Sequence, residues 1–219
     1  MKAFYAVLGV IAVIGGGVIW WTTTGGGSET QFIEQPVPLN TAGFPGYVIG
    51  SDSAPVEIVE YADFQCPACG HFAVLSGPDV KQRLVQTGLV RWRFRDFPLE
   101  IHDKALVAHH AAACANEQGR FWEMHDQLFF KQREWSESSR PQRLFRDYAA
   151  GIGADPDQFE QCMDEQRYLA RIQATRNEVM ALGVGSTPSF DIGQFRVTGS
   201  IPYDSVKVLV DIAAGKAVP

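Results

Sequence analysis

Alternation of apolar and polar residues predicts four β-strands. In residues 56–64 every second side chain falls on one face of an extended chain. In residues 89–97 three arginines alternate with apolar side chains, which is typical of a half-buried strand. Further along, Ser189–Ile192 and Phe195–Val197 are predicted to form a hairpin that turns at Gly193.

In the regions between and after these strands, apolar residues recur at the spacing of a helix. A first helix is expected to begin at Cys66, because Pro67 suits the first helical position, where its missing N–H leaves no bond unmade. Over about residues 101–183 the pattern is helical throughout, and Asp155 is expected to cap a long helix that reaches Val179. A final helix follows the hairpin. The predicted order is strand–helix–strand, a block of helices, then strand–strand–helix.

The amino-terminal residues 1–21 are predicted to be a transmembrane signal-anchor. The apolar run would span roughly 28 Å as a helix, close to the ~30 Å hydrocarbon core of a bilayer. Lys2 precedes the run and Glu29 follows it, so the positive-inside bias places the rest of the chain outside the cytoplasm. A cleaved signal peptide is the alternative, and both interpretations export the main domain. Glycine, serine and proline then predict a flexible tether over residues 22–47.

Composition limits the classes of function. The chain has 219 residues and a formal net charge of -6 with a pI near 5.4, so it lacks the basic character that nucleic-acid binding requires. Its length suits one full domain with an insertion. Four cysteines are too few for a small fold held together by disulfides, so any special role depends on where they lie.

Cys66 and Cys69 form the motif Cys-Pro-Ala-Cys where a strand meets a helix. Residues three apart on a first helical turn share one side, so the two sulfurs can form a disulfide. The free N–H groups and the helix dipole favour a thiolate at Cys66, which attacks disulfides, and Cys69 is placed to resolve the mixed disulfide. A zinc site would need a second ligand pair, and a structural disulfide across so short a loop would add little stability. We therefore predict redox chemistry.

Two other features are predicted to support this chemistry. Glu60 lies on an otherwise apolar strand face, where burial would raise its pKa and let it exchange protons with the thiols. The alternative is a solvated position, which we expect for its neighbours Glu57 and Asp63. Thr187 and Pro188 precede the hairpin, and the proline either marks the start of a strand or forms a cis peptide that exposes backbone to an extended peptide.

Cys114 and Cys162 lie on two predicted helices of the helical block. In an oxidising compartment, and with an even number of cysteines, a structural disulfide between them is favoured over two buried thiols. The remaining candidates for metal ligands lack partners at a useful spacing, so we interpret them as ordinary surface or core histidines: His102, His109, His110 and His125. No metal or other cofactor is predicted.

Three motifs occur in an order that resembles the DsbA-like thiol–disulfide oxidoreductases of the thioredoxin superfamily. They are the ten residues that end at Cys69, the helical block, and the sequence Gly-Ser-Thr-Pro-Ser-Phe that ends at Phe190. The resemblance covers about residues 48–214. It implies an α/β thioredoxin fold over residues 48–219, with a helical subdomain inserted at about residues 101–183.

The same resemblance implies roles for individual residues. Cys66 would be the nucleophile and Cys69 the resolving cysteine. Glu60 would be the buried acid, and Pro188, which follows Thr187, would be a cis-proline facing the pair. Some family members also have a second cysteine pair in the helical block. This chain has Pro-Ala between its cysteines instead of the Pro-His of strongly oxidising members, and its threonine before the proline is shared with some reductases and isomerases.

We expect an extracytoplasmic, membrane-anchored enzyme that exchanges a Cys66–Cys69 disulfide with thiols of exported proteins, mainly as a disulfide donor. A quinone-linked membrane protein resembling DsbB or vitamin K epoxide reductase would reoxidise it. One alternative is a membrane-tethered disulfide reductase or isomerase with the same site, which a measured redox potential would distinguish. The other is a non-catalytic peptide-binding module, whose function would survive loss of both cysteines.

Overall fold

A computed structural model of the protein describes residues 30–32 and 43–216. The predicted signal-anchor, residues 1–21, lies outside these residues. None of the helices in the described part of the chain combines the length and the hydropathy that a membrane span requires.

One mixed sheet carries the motif-bearing strand near its centre. Its strands, in chain order, are β1 to β6: Thr30–Phe32, Tyr47–Ile49, Val56–Ala62, Val90–Asp96, Ser189–Ile192 and Phe195–Thr198. Across the sheet the order is β1-β6-β5-β3-β4-β2. Strands β3 and β4 are parallel, and the other neighbours are antiparallel. Strand β3 therefore has partners on both edges and leads directly into the turn that ends at Cys66.

Nine helices lie within the described residues. In chain order they are α1 to α9: Pro67–Leu75, Gly77–Val80, Ala105–Asn116, Phe121–Phe130, Gln132–Glu137, Pro141–Gly151, Pro156–Asp164, Leu169–Ala181 and Tyr203–Ala213. A π-helical turn, Lys81–Val85, continues α2. Helices α3 to α8 form one block between β4 and β5, which confirms the predicted helical insertion.

The long helix predicted after Asp155 is wrong, because the chain forms two helices there. The Asp155 side chain does cap α7, accepting from the N–H groups of Asp157 and Gln158. However, α7 ends at Asp164, and the left-handed backbone of Gln166, with φ of 51°, separates it from α8. The spacing of apolar residues continues across this break and so conceals it.

Helices cover both faces of the sheet. On one face Ile58 and Trp92 belong to a core that α1, α2 and α9 complete. On the other face Val59 and Tyr61 pack with Val179 of α8. Because both faces are covered, every side chain of β3 except the half-buried Glu57 is buried, and this includes Glu60.

Two parts of the segment expected to be a tether, residues 22–47, take part in the fold. Residues Thr30–Phe32 pair with β6 as an antiparallel edge strand. Tyr47 begins β2, is 4% exposed, and stacks on Phe121 of α4 with ring centres 3.5 Å apart. The sequence shows no alternation long enough to predict either strand.

Candidate active site

The two cysteines of the motif lie at the amino end of α1. Cys66 is the N-cap residue, with an extended backbone, and Pro67 lies in the first turn. The carbonyl oxygen of Cys66 accepts from the N–H of Gly70 at 3.1 Å, which starts the helix. Cys66 is 7% exposed, whereas Cys69 is fully buried. The first thiol is therefore the one that a second molecule can reach.

The loop before β5 lies against Cys66. A cis peptide joins Thr187 to Pro188. The Cys66 thiol donates a hydrogen bond to the carbonyl oxygen of Thr187 at 3.4 Å. The Thr187 hydroxyl is buried and has no hydrogen-bond partner within the described residues. This hydroxyl is therefore available as a donor when the thiol ionises.

Hydrogen bonds lower the pKa of the Cys66 thiol from 9.0 to about 6. The largest contribution is a hydrogen bond from the Cys69 thiol, which outweighs the opposing effect of burial. The Thr187 side chain and the backbone N–H groups of Cys69 and Ala68 lower the pKa further. Because the thiolate is the form that attacks disulfides, Cys66 is ready to react at neutral pH.

Burial has the opposite effect on Cys69 and raises its pKa well above the ordinary value. Its hydrogen bond to Cys66 and the negative charges of Cys66 and Glu60 raise the pKa further, against a hydrogen bond from the backbone N–H of Asp63. Cys69 therefore keeps its proton in the reduced protein. It must lose that proton before its sulfur can attack.

Glu60 is a fully buried acid on β3. Its Oε2 accepts from Nε1 of Trp92 at 3.0 Å, whereas Oε1 has no hydrogen-bond partner in the part of the chain that the structure describes. Burial raises its pKa from 4.5 to about 8, against the Trp92 hydrogen bond and the positive charge of Lys81. The carboxyl group is therefore protonated at neutral pH and can supply a proton to a neighbouring thiolate.

The expectation that Asp63 is solvated is wrong, because this carboxylate is fully buried. Its Oδ1 accepts from the N–H of Gln65 at 2.7 Å, and its Oδ2 accepts from the N–H of Leu99 at 2.8 Å. Nδ1 of His102 lies 2.7 Å from the same Oδ2. Asp63 therefore ties the turn before Cys66 to the loop after β4. The alternation along β3 could not predict these hydrogen bonds to Asp63, because their donors, Gln65 and Leu99, lie beyond the end of the strand.

Two residues near the site were not predicted from the sequence. Nε2 of Gln132 donates to the carbonyl oxygens of Phe64 and Cys66 at 2.7 and 2.8 Å. Nε2 of buried His109 accepts from the N–H of Phe64 at 3.4 Å, while its Nδ1 lies 2.7 Å from Asp96. Both side chains come from the helical insertion, which therefore supports the active-site turn. No local pattern links them to residues so far away in the sequence.

The second cysteine pair lies inside the helical insertion. Cys114 of α3 and Cys162 of α7 are joined by a disulfide, with Cα atoms 5.7 Å apart, and both are buried. Nε2 of His110 lies 3.5 Å from the sulfur of Cys114. The three side chains are close enough to hold a metal ion, but the disulfide uses both sulfurs.

Known sequences resemble most of the chain. A model of a family described as thioredoxin matches residues 44–212. The sequence is 37% identical over 172 residues to the Na+/H+ antiporter NhaA 3 of Salinispora tropica. The matched residues make up 78% of this chain and 25% of the antiporter. This chain therefore spans about a quarter of the antiporter's length. It is also 27% identical over 167 residues to a Rickettsia conorii protein named as a protein-disulfide oxidoreductase, covering 76% of this chain and 59% of that protein.

Solved structures share the fold. Oxidised BdbD from Bacillus subtilis superposes with a TM-score of 0.72 at 20% identity, covering 84% of this chain and 99% of BdbD. The alpha-DsbA1 of Wolbachia pipientis gives 0.71 at 22% identity, covering 83% and 94%. The family match runs from just before β2 into α9, so it includes the whole site and the helical insertion. The chain therefore belongs to the thioredoxin family and has the DsbA-like form of its fold.

Proposed function

We propose that this protein is a thiol–disulfide oxidoreductase that donates a Cys66–Cys69 disulfide to thiols of exported proteins. The observation that supports this most directly is the opposite shift of two pKa values, to about 6 for Cys66 and well above the ordinary value for Cys69. Stabilising the Cys66 thiolate stabilises the reduced protein, and this makes the disulfide a stronger oxidant.

The reaction runs through a mixed disulfide. A substrate thiolate attacks the sulfur of Cys66, and the electron pair of the broken S–S bond leaves on Cys69, which takes the proton of Glu60. A second substrate thiolate then attacks the substrate sulfur of the mixed disulfide and releases Cys66 as a thiolate. Two electrons pass from the substrate dithiol to the protein, and the substrate gains a disulfide.

An oxidising location and a membrane anchor complete the proposal. Buried disulfides such as Cys114–Cys162 persist mainly in oxidising compartments. The apolar residues 3–21 would anchor the domain on the outer side of the membrane, and the resemblance to part of an antiporter is compatible with work at a membrane surface. A quinone-linked membrane protein resembling DsbB or vitamin K epoxide reductase would reoxidise the thiols.

A disulfide reductase or isomerase is the second candidate, favoured by Ala68 and Thr187. Some reductases and isomerases share the threonine that stands here at position 187, before the proline. Ala68 occupies the position where strongly oxidising relatives have histidine, so no imidazole supports the Cys66 thiolate there. Such an enzyme would receive electrons across the membrane.

The redox potential of the purified full-length protein separates these candidates. Equilibration with glutathione should give a potential closer to the about -120 mV of DsbA than to the about -270 mV of thioredoxin. The oxidised protein should also form disulfides in a reduced client, and the variant Cys66→Ser should not. A potential near that of thioredoxin, with insulin reduction, would favour the reductase. Equal function of Cys66→Ser and the unmodified protein would indicate a binding module.

A further inference from the structure

A surface pocket of about 630 Å³ has Lys81 in its wall, and the charge of this lysine acts on Glu60. Lys81 and Asp126 line it and form an ion pair. The Lys81 ammonium lies 5.9 Å from the ring centre of Trp92 and 5.1 Å from that of Trp122. Trp92 donates to Glu60, so its side chain connects the Lys81 end of the pocket to the buried acid.

The buried side chain of His125 contacts Asp126 of the Lys81–Asp126 ion pair. Its Nδ1 is 2.8 Å from Oδ1 of Asp126, whose side chain is 58% exposed while that of His125 is 1% exposed. A carboxylate only accepts hydrogen bonds, so Nδ1 carries the proton and Nε2 of the neutral ring is an acceptor. This Nε2 is buried and has no hydrogen-bond partner among the described residues.

Glu60 has a donor atom that complements the acceptor Nε2 of His125. Oε2 of Glu60 accepts the hydrogen bond from Trp92, so we place the proton of the carboxylic acid on Oε1. Oε1 has no hydrogen-bond partner within the described chain. The ring of His125 is 6.3 Å from that of Trp92 and 5.3 Å from that of Phe94, the residue opposite Glu60 on β4. Nε1 of Trp122, whose ring is 5.0 Å from His125, is also buried and has no partner in the residues that the structure describes. Two donors and one acceptor in one buried cluster suit a bridging water.

We propose that His125 and Asp126 relay the proton that Glu60 exchanges with Cys69, and that the ion pair with Lys81 holds Asp126 at the pocket end of the relay. On the way out, Oε1 of Glu60 gives its proton through the bridging water to Nε2 of His125, while the Nδ1 proton passes to Asp126 and then to water in the pocket. The resulting Glu60 carboxylate takes the proton of Cys69. The inward path is the reverse. This inference rests on the proposed function, because Cys69 changes protonation during disulfide exchange.

The titratable groups around the relay are consistent with this direction of transfer. His125 faces Lys81 and Asp126 on the pocket side and His109 of α3 on the other side. Burial lowers the pKa of His125, and the charge of Lys81 lowers it further, against the hydrogen bond and charge of Asp126. The ring is therefore neutral and can accept a proton. The groups that act on Glu60 are Lys81 and, across the site, Cys69.

The test follows the two thiols separately in the reduced full-length protein. Reaction with Ellman's disulfide releases one thionitrobenzoate when Cys66 attacks and a second when Cys69 resolves the mixed disulfide. In Asp126→Asn the amide keeps the contact to His125 but cannot take a proton. We expect the second release to slow at least ~10-fold, because positioned acid–base groups contribute ~10²–10⁴-fold. The first release should be unchanged.

Two further variants complete the design. His125→Leu should slow the second release at least as much as Asp126→Asn. The matched control is Glu123→Gln, which alters another half-exposed carboxylate of α4, paired with Arg120, and should change neither release. Added formate should restore the rate of Asp126→Asn, since a small acid can carry the proton through the pocket.

The outcomes separate the relay from the proposed function. A second release that is slow in Glu60→Gln but normal in both relay variants would overturn the relay and leave the function standing. A slow release that formate does not restore, together with a lower melting temperature, would indicate a structural role and would also overturn it. If the unmodified protein released no second thionitrobenzoate, the proposed function itself would be contradicted.

Discussion

The Cys66 thiol and the carbonyl oxygen of Thr187 are hydrogen-bonded at 3.4 Å, although 121 positions separate the two residues in the chain. The Thr187 side chain also lowers the pKa of Cys66. The loop before β5 therefore acts directly on the Cys66 thiol. Reactivity at the Cys-Pro-Ala-Cys motif depends on a residue that lies outside it.

Replacing this threonine should make Cys66 less acidic. In Thr187→Val the side chain keeps its size but loses the hydroxyl, so the pKa of Cys66 should rise above its value of about 6. The ultraviolet absorbance of the thiolate, followed against pH, measures this, and alkylation of Cys66 should slow at mildly acidic pH. Thr198→Val, at the end of β6, is the control. An unchanged pKa in Thr187→Val would show that the carbonyl alone contacts the sulfur.

The stability of the reduced protein should depend on pH through Cys66. Folding lowers the pKa of this thiol from 9.0 to about 6, so the stabilisation is complete above pH 9.0 and is lost as the pH falls through about 6. The disulfide form has no such titration. The melting temperature of the reduced protein should therefore exceed that of the oxidised protein at neutral pH, and the difference should shrink as the pH falls.

Calorimetry at a series of pH values checks this expectation, with the Cys114–Cys162 disulfide kept intact. A double variant with serine at Cys66 and Cys69 should lack the pH-dependent difference. A higher melting temperature for the oxidised form at neutral pH would contradict the prediction and favour the reductase.

A functional residue can be predicted from the sequence when its role depends on its position in one helix or strand. The first turn of a helix identifies Cys66, and a carboxyl group on an apolar strand face identifies Glu60. Residues that act through distant backbone were missed. Asp63 and Gln132 hold the active-site turn by hydrogen bonds to other segments, and spacing along a strand or helix carries no information about such partners.

Gln132 should matter for stability because it ties the helical insertion to the active-site turn. In Gln132→Leu the carbonyl oxygen of Cys66 keeps the N–H of Gly70, whereas that of Phe64 loses its Gln132 donor, and an unsatisfied polar group costs about 1–3 kcal/mol where it is buried. Urea unfolding should show this loss. A methyl group at Gly70 would lie 2.8 Å from Oε1 of Gln132, so Gly70→Ala should disturb the same contact. Gln161→Leu, on the exposed side of α7, is the control and should have little effect.

The disulfide between Cys114 and Cys162 should stabilise the fold without taking part in exchange. It links residues 48 positions apart, and closing a loop of that size stabilises a protein by about 4 kcal/mol in the chain-entropy model. Replacing both cysteines with alanine should therefore lower the free energy of unfolding by about that amount. Denaturant unfolding measures the loss. Oxidation of a reduced client, tested below the new melting temperature, should continue at nearly the original rate, because both sulfurs are buried inside the insertion. A double variant that keeps its stability but no longer oxidises the client would identify a second redox-active pair, and the roles assigned to the four cysteines would have to be revised.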